Sequence, residues 1–341
     1  MRIVDGRAGG GQLLRWAIAA SAITGTPIRM ENVRGARDSP GLRPQHVAAI
    51  ELAAAVTDAT TNGVEIDSQT VEFEPDEIRG GDYRIDVGTA GSISLVFDTV
   101  LPLAPVLPRV TSATVTGGTD VKWSPPIDYH RFVKLPLLTE FGLDAAIIVS
   151  RRGYYPTGGG EATLDVEPSK AIEIDLLRRG DLESVDVVSV ASESLSDADV
   201  ADRQAETAET QLADTVEVPI RSTVEYAPSI SKGSSIVIVA SFEHSKAGFT
   251  ALGEPGKPSE YVASDAVESF EAFLDTDAAI DPYMADQLLP FMAIGGGVVA
   301  IEDVTEHVRT AVDLLREFGA SIELEDDGTT ATIDVEGTLP K

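Results

Sequence analysis

His307 is the residue whose type and position best suit nucleophilic chemistry in this chain. It is one of four histidines among 341 residues, and the surrounding segment, 303–310, predicts the first turn of an amphipathic helix. The positive end of a helix dipole disfavours an imidazolium, so we expect a neutral, nucleophilic ring at ordinary pH, as covalent nucleotide transfer through nitrogen requires. The alternative is a structural histidine at a core edge, which the spacing of Ala311, Leu314 and Phe318 favours when taken alone.

A basic loop precedes a second helix that has a histidine near its start. Arg34, Arg37 and Arg43 fall within ten residues, and Pro44 suits the first position of a helix that carries His46. Arginine can donate two hydrogen bonds at once to a phosphate, so this loop predicts a site for a terminal phosphate. Ion pairs with nearby carboxylates are the alternative use of the same arginines.

Two glycine-rich segments precede helices and could hold an anion. Residues 9–11 are all glycine and lead into an apolar helix that includes Arg15, and the segment 88–92 follows a strand. Backbone N–H groups at such a helix start can approach a phosphate closely, and the helix dipole adds attraction. A simple turn is the commoner role of such glycines, so the motif alone supports a phosphate site only weakly.

Three segments of the sequence each predict a helix followed by a strand. These elements would position the side chains described above. Each has a histidine near the start of its helix: His46, His130 and His307, separated by 84 and 177 residues. The second interval exceeds the first by 93 residues, which is enough for one small domain. The spacing therefore predicts repeated α/β units, with an insertion in the last one.

The extra segment has a hydrophobic pattern of its own and is predicted to fold. Residues 197–212 predict a polar helix, and residues 234–240 predict a strongly apolar strand. We therefore predict a main domain formed by residues 1–179 and 276–341, and a smaller α/β domain inserted at 180–275.

The composition limits the class of protein. The chain contains no cysteine, which excludes disulfides, thiolate metal sites and thiol nucleophiles. Its formal net charge of −30 would oppose a polyanionic partner in dilute buffer but is typical of a protein that works in concentrated salt, where the Debye length falls to about 3 Å. Because we find no signal-like or membrane-spanning stretch, we expect a soluble cytoplasmic protein.

Several strings together resemble the RNA 3′-terminal phosphate cyclases, in the order found in that family. They are Gly9–Arg15, Arg34–His46, Arg79–Arg84, Gly88–Pro102, Gly117–Asp120, Tyr154–Gly160, Tyr283–Gln287 and His307. The resemblance implies an α/β (α+β) fold in which three repeated βαβαββ-like units form the main domain and a smaller α/β domain is inserted in the last unit.

The resemblance also implies a reaction, its cofactors and its partner. The reaction would consume ATP and require a divalent metal ion, Mg or Mn. RNA 3′-phosphate ends would be the substrate. The family's nucleophilic histidine, matched by His307, would take AMP from ATP. AMP would then pass to the RNA 3′-phosphate, and the neighbouring 2′-hydroxyl would displace it to close a 2′,3′-cyclic phosphate, because AMP is a better leaving group than a phosphate oxygen.

Matching positions imply roles for further residues. Phosphate handling and catalysis would involve Arg15, Arg34, Arg37 and His46, which could neutralise charge at phosphorus. Nucleotide binding would involve Asp98, Pro126, Phe249, Tyr283, Met284, Ala285, Asp286 and Gln287, with Pro126 and Phe249 on the two faces of adenine. His130 and His244 match no family role and are expected to be structural or exposed.

The chain departs from the family pattern at two positions. Asp98 stands where the family has a nucleotide-contacting glutamine, and a carboxylate there would repel ATP phosphates unless a cation intervenes. A glutamate that often precedes the first glycines is missing, so the metal ligands are unknown, and Asp5 is a candidate substitute.

Two other functions remain as alternatives. A noncatalytic, cyclase-like scaffold in RNA processing or ribosome assembly would share the fold without the nucleophile, and the retention of His307, Arg34, Arg37 and His46 argues against it. An enolpyruvyl-transferase-like enzyme uses related units, but the insertion and the C-terminal histidine argue against it. A homo-oligomer stays open.

Overall fold

The computed structural model describes residues 1–326, 328, 330–337 and 339, which form a mixed α/β protein. The strands are β1 (Arg2–Asp5), β2 (Ile28–Glu31), β3 (Thr60–Asn62), β4 (Val71–Glu74), β5 (Gly81–Asp86), β6 (Thr111–Gly117), β7 (Ala145–Arg151), β8 (Gly160–Val166), β9 (Ile174–Leu176), β10 (Leu182–Ser192), β11 (Ile220–Ala227), β12 (Ser234–Phe242), β13 (Lys246–Leu252), β14 (Gly297–Ile301), β15 (Ile322–Asp326) and β16 (Ala331–Val335). The α/β class predicted from the sequence is confirmed.

The helices lie between these strands. They are α1 (Gly11–Thr24), α2 (Pro44–Thr57), α3 (Ile93–Val100), α4 (Ile127–Tyr129), α5 (Leu135–Glu140), α6 (Val200–Thr215), α7 (Ser259–Leu274), α8 (Met284–Gln287), α9 (Leu289–Gly295) and α10 (Glu306–Glu317). A π-helical turn, His130–Lys134, joins α4 to α5, and 3₁₀ turns cover Leu101–Val106 and Glu193–Ala198. The three histidines that set the predicted spacing lie at or near the starts of α2, this π-helical turn and α10.

Three of the sheets in the described residues share one strand order and one pattern of directions. Their orders are β1-β2-β4-β3, β5-β6-β8-β7 and β9-β14-β16-β15. In each sheet the first two strands pair in parallel and the remaining neighbours pair antiparallel. The parallel pairs need long connections, which the helices supply.

The fourth sheet has the order β11-β10-β12-β13 and is covered on both faces. On one face, Ile236 and Ile238 of β12 join the apolar cluster of α6 and α7, whereas Val237 and Val239 join the large core formed with the other sheets. A strand buried on both faces is apolar at successive positions, which explains the continuous apolar run predicted as a strand.

Helix α1 lies at the centre of the large core and controls the position of the site. Its residues from Gln12 to Ile23 are buried, and it packs against α2, α3 and α10. Many of these residues are alanine, and small side chains let helices pack closely. The packing brings together the first turns of helices that are far apart in the sequence. Among the described residues, no helix is both long and apolar enough to cross a membrane.

Candidate active site

A cleft of about 1020 Å³ lies at the first turns of α1, α2 and α10. The loop after β6 and the end of β13 face the same space. The lining residues are Gly10, Gly11, Gln12, Arg15, Arg34, Arg37, Arg43, Gln45, His46, Leu95, Lys122, Trp123, Ser124, Pro126, Thr250, Ala251, Leu252, Glu254, Lys257, Asp265, Ser269, Tyr283 and His307. The structure therefore brings together residues from both ends of the chain.

The glycines at the start of α1 have no side chains, and His46 and Arg37 occupy the space that a Cβ atom would need. A Cβ atom on Gly11 would lie 2.1 Å from Nε2 of His46, and one on Gly10 would lie 3.1 Å from a terminal guanidinium nitrogen of Arg37. No described side chain caps this helix start. Its backbone N–H groups are therefore available to an anion in the cleft, where the helix dipole adds attraction.

His46 is a buried, neutral hydrogen-bond donor. Its Nδ1 accepts a hydrogen bond of 2.9 Å from the backbone N–H of Arg43, so the proton of the neutral ring is on Nε2. Burial lowers the pKa of His46 to about 3, and the positive charges of Arg15, Arg34 and Arg43 add to the shift. The ring can therefore donate to a phosphate oxygen without becoming charged.

The shifted pKa of His46 makes stability depend on pH. In the unfolded chain the ring gains its proton near pH 6.5, whereas the folded protein resists protonation until about pH 3. Between these values the unfolded state binds the extra proton, so the free energy of unfolding falls as the pH falls. The contribution of this one residue is about 1.4 kcal/mol per pH unit in that window.

We therefore expect urea denaturation of a His46→Asn variant to depend less on pH than denaturation of the unchanged protein. Asparagine can still accept the hydrogen bond from Arg43 but does not titrate. The slope of the free energy of unfolding against pH reports the number of protons taken up on unfolding. Between pH 6 and pH 5 this number should be smaller by about one in the variant. Equal slopes would mean that His46 titrates alike in the folded and unfolded chains.

Arg15 is buried and has no carboxylate within ion-pair distance among the described residues. Its Nε atom is buried without a hydrogen-bond partner. Burial lowers the pKa of Arg15, opposed by the negative charges of Asp98 and Asp286. Since arginine stays protonated in proteins, an anion in the cleft would supply its missing partner.

The three arginines of the basic loop have different surroundings. Arg34 donates to the backbone oxygens of Ser39 and Gly41, both at 2.9 Å, and Arg43 forms an ion pair of 2.6 Å with Asp67. Arg37 is exposed and has no ion pair with a described residue. The alternative of pairing with carboxylates thus applies to Arg43, whereas Arg37 is available to a ligand.

His307 lies on the second residue of α10, and the side chain of Thr305 caps this helix by accepting the N–H of Val308. Burial lowers the pKa of His307, the positive charge of Arg37 and the weaker effect of Arg15 add to the shift, and Glu306 opposes it. The neutral ring expected from the helix dipole is therefore favoured by burial and by two arginines of the cleft.

A buried network adjoins Arg15. Asp98 is 2.6 Å from Nζ of Lys134 and 2.8 Å from Nε2 of His130, and Lys134 also donates to Gln287 at 2.8 Å. Burial opposes the ionisation of Asp98, but Lys134, His130 and Arg15 outweigh it and lower the pKa of Asp98. Lys134 is thus the cation that the sequence argument required beside Asp98.

The segment 283–287, predicted to bind nucleotide, lies partly at the cleft and partly in the core. Tyr283 lines the cleft, with its ring edge-on to Tyr129 at 5.9 Å, whereas Met284, Ala285 and Gln287 are buried outside the cleft lining. Burial raises the pKa of Asp286 to about 7, opposed by Arg15 and Lys134, and this carboxyl accepts a hydrogen bond from Gln12. Of these residues, only Tyr283 lines the cleft among the described residues, whereas Asp98 and Gln287 are buried outside its lining.

Pro126 and Phe249, predicted to lie on the two faces of adenine, do not both face the cleft. Pro126 lines the cleft, but Phe249 is buried against Phe270 and Phe273, with ring centroids 5.5 and 5.3 Å away. Phe249 lies on the face of β13 that packs on α7, whereas the residues at the end of the strand, 250–252, line the cleft. The placement of Phe249 in the cleft was wrong.

The remaining predicted positions lie outside the cleft lining. The segment 88–92 adjoins the site through Gln45, whose side-chain oxygen accepts the N–H of Ser92 at 2.9 Å. His130 is buried in the network of Asp98, and His244 is exposed beside Glu243. Both histidines are thus structural or exposed, as expected.

Sequence reasoning missed several residues at the cleft. Lys122 and Trp123 come from the loop after β6, and Lys257 comes from the loop after β13. Trp123 could have been noticed, because it is one of two tryptophans and stands in a polar, proline-rich segment. Lys134 carried no such signal, since its partner Asp98 is 36 residues away.

The described residues contain no group of three or more metal-ligating side chains. Asp5, the candidate substitute for the missing glutamate, is exposed and outside the cleft lining, and its carboxylate accepts the side chain of Asn32 and the N–H of Arg7 at 3.0 Å each. The described side chains therefore identify no candidate set of metal ligands.

Comparisons with known proteins agree with the motifs. A family model described as RNA 3′-terminal phosphate cyclase matches residues 7–323. A protein of Halobacterium salinarum named RNA 3′-terminal phosphate cyclase is 47% identical over 341 residues, covering 96% of this chain and 98% of its own. Proteins with the same name from Pyrococcus furiosus and Pyrobaculum aerophilum are 40% and 38% identical, covering 93% and 96% of this chain and 93% and 95% of their own. The predicted resemblance is confirmed, and this chain belongs to the RNA 3′-terminal phosphate cyclase family of enzymes.

Proposed function

We propose that this protein uses ATP to convert an RNA 3′-terminal phosphate into a 2′,3′-cyclic phosphate through an AMP-histidine intermediate on His307. The observation that carries the proposal is the position of a neutral histidine in the same cleft as Arg37 and Arg15, two guanidinium groups without carboxylate ion pairs among the described residues. Such a site combines a nitrogen nucleophile with donors for phosphate oxygens.

The proposed reaction has three displacements at phosphorus. First, a ring nitrogen of His307 attacks the α-phosphorus of ATP, a P–N bond forms and pyrophosphate leaves. Second, an oxygen of the RNA 3′-phosphate attacks the same phosphorus, and the P–N bond breaks to restore the histidine. Third, the 2′-hydroxyl oxygen attacks the RNA phosphorus, loses its proton, and AMP leaves as the ring closes.

We propose that four groups hold the phosphates during these steps. Arg37 and Arg15 would neutralise charge, His46 would donate through Nε2, and the uncapped start of α1 would donate backbone N–H groups. Arg34 would act mainly by shaping the loop, because its guanidinium is already bound to backbone oxygens. Pro126 and Tyr283 would contact the nucleoside of ATP.

The domain organisation is part of the proposal. The shared strand order of three sheets supports three repeated βαβαββ-like units in a main domain of residues 1–179 and 276–341. The separate apolar cluster under α6 and α7 supports a smaller α/β domain inserted at 180–275. Within the main domain, residues 327, 329, 338, 340 and 341 lie outside the described residues.

The proposal also includes a partner and a place of action. RNA 3′-phosphate ends would be the substrate, and we propose that the protein acts in the cytoplasm, as a monomer or as a homo-oligomer. The requirement for Mg or Mn stays a prediction from the resemblance, and no step above depends on a metal bound by this chain's side chains.

The proposal predicts a defined product from a simple mixture. The protein, ATP, a divalent metal salt and a short RNA with a labelled 3′-phosphate should yield a label that phosphatase no longer removes, because a cyclic diester lacks the terminal monoester. Acid should then open the ring and restore sensitivity to phosphatase. The assay should be run in concentrated KCl, where the charge of −30 is screened. A label that stays sensitive to phosphatase at every salt and metal concentration would support the noncatalytic scaffold instead.

A further inference from the structure

We propose that the indole of Trp123 stacks on a nucleobase near the 3′ end of the bound RNA, an inference that rests on the proposed function. Trp123 lines the cleft that contains His307 and is 96% exposed. No described aromatic ring or guanidinium packs against it. An exposed indole at a nucleotide cleft offers the flat apolar surface on which single-stranded bases stack.

The backbone at Trp123 is in a strained conformation. Trp123 has a φ angle of +65°, in the left-handed region that bulky residues rarely adopt. The loop is held on both sides, because Ser124 donates to the backbone oxygen of Val121 at 3.1 Å and Lys122 forms an ion pair of 3.1 Å with Glu254 across the cleft. Strained residues that their neighbours hold in place are concentrated at binding and active sites, so the conformation of Trp123 supports a role in binding.

The position of Trp123 favours RNA over ATP as its ligand. Pro126, three residues later, lines the same cleft but is buried, whereas Trp123 is almost fully exposed. ATP is small enough to be enclosed near His307, but an RNA whose terminal phosphate is held there must continue outwards. A stacking surface that projects from the cleft would meet that outgoing strand.

The charge of the protein makes such a contact useful. With a net charge of −30, the molecule as a whole repels RNA, and the concentrated salt that screens this repulsion also weakens attraction to Arg37 and the lysines. Stacking depends much less on ionic strength, because it buries apolar surface. A base on Trp123 would therefore help to hold RNA where charge contributes least.

The test compares RNA binding by the unchanged protein and by Trp123→Ala and Trp123→Phe. The probe is a fluorescein-labelled single-stranded oligoribonucleotide with a 3′-phosphate, and three further probes each lack the base at one of the last three positions. We expect Kd to rise roughly 10-fold in Trp123→Ala, as loss of one stacked base implies, and much less in Trp123→Phe. Removal of the stacked base should weaken binding to the unchanged protein but add little in Trp123→Ala.

Intrinsic fluorescence gives a second readout. The chain has two tryptophans, and Trp16 is 1% exposed, so quenching by unlabelled RNA should come from Trp123 and disappear in the variants. The remaining emission of Trp16 reports whether each variant is folded. An unchanged Kd in a folded Trp123→Ala protein, or an equal penalty for the missing base in both proteins, would overturn the proposal.

The same variants distinguish this inference from the proposed function. AMP uptake from ATP needs no RNA, so a loss of AMP uptake in Trp123→Ala with unchanged RNA binding would mean that adenine, and not an RNA base, stacks on Trp123. Failure of the unchanged protein to take up AMP would instead contradict the proposed reaction, while the binding measurements would still decide the role of Trp123.

Discussion

A His307→Ala protein will take up no AMP from ATP and will cyclise RNA 3′-phosphate at least roughly 10³-fold more slowly, as expected when a covalent nucleophile is removed. Alanine retains the helix and loses the ring nitrogen. Because His307 is exposed at the cleft and contributes no hydrogen bond from its ring among the described residues, the fold should be little affected. The measurement is transfer of labelled AMP to protein, together with cyclisation of 3′-phosphate RNA.

The same variant should retain the last chemical step. RNA supplied with AMP already joined to its 3′-phosphate needs no nucleophile from the protein, so His307→Ala should still accelerate ring closure. His244→Ala is the matched control, because His244 is an exposed histidine outside the cleft lining. A His307→Ala protein that takes up AMP at the unchanged rate would redirect the assignment to another nucleophile, such as a lysine.

An Arg37→Ala protein will lose roughly 10²-fold to 10³-fold in the rate of cyclisation, the usual cost of removing one donor aimed at developing charge. Arg37 has no ion pair to a described residue, and its guanidinium lies close to Gly10 at the start of α1. The neighbouring Arg43 is already paired with Asp67 at 2.6 Å, so Arg43→Ala should have a smaller effect on the rate.

A lysine at position 37 provides a further control. It keeps the charge but loses the paired donors, so Arg37→Lys should recover only part of the rate if two hydrogen bonds to phosphate matter. Steady-state rates at saturating ATP with varied RNA, in concentrated KCl, would measure all three variants. Equal losses in the Arg37 and Arg43 variants would show that the loop contributes through its shape and not through a free guanidinium.

The sequence predicted the members of the site better than their contacts. The glycines before α1, the basic loop and His307 were recognisable because short motifs fix local structure, and a shared site for them was implied by the family resemblance. The neutral state of His307 was predicted from the helix dipole, but burial and the charges of Arg37 and Arg15 lower its pKa, and these depend on packing between distant segments.

Errors arose where the face of an element decided the outcome. Alternation in β13 groups Ala247, Phe249 and Ala251 on one face, but the sequence does not reveal that this face packs against α7. The sequence indicated that Asp98 needs a cation beside it, but it did not reveal that Lys134, 36 residues away, is that cation. Long-range pairs of this kind leave no local pattern in a single sequence.

The most direct test of the account is to locate the AMP on the protein. After incubation with ATP and a divalent metal salt, intact mass spectrometry should show one added AMP, and peptide mapping under alkaline conditions, which preserve a phosphoramidate of histidine, should place it on His307. An adduct on Lys122, Lys134 or Lys257, or a protein of unchanged mass that nevertheless forms cyclic phosphate, would contradict the central role of His307.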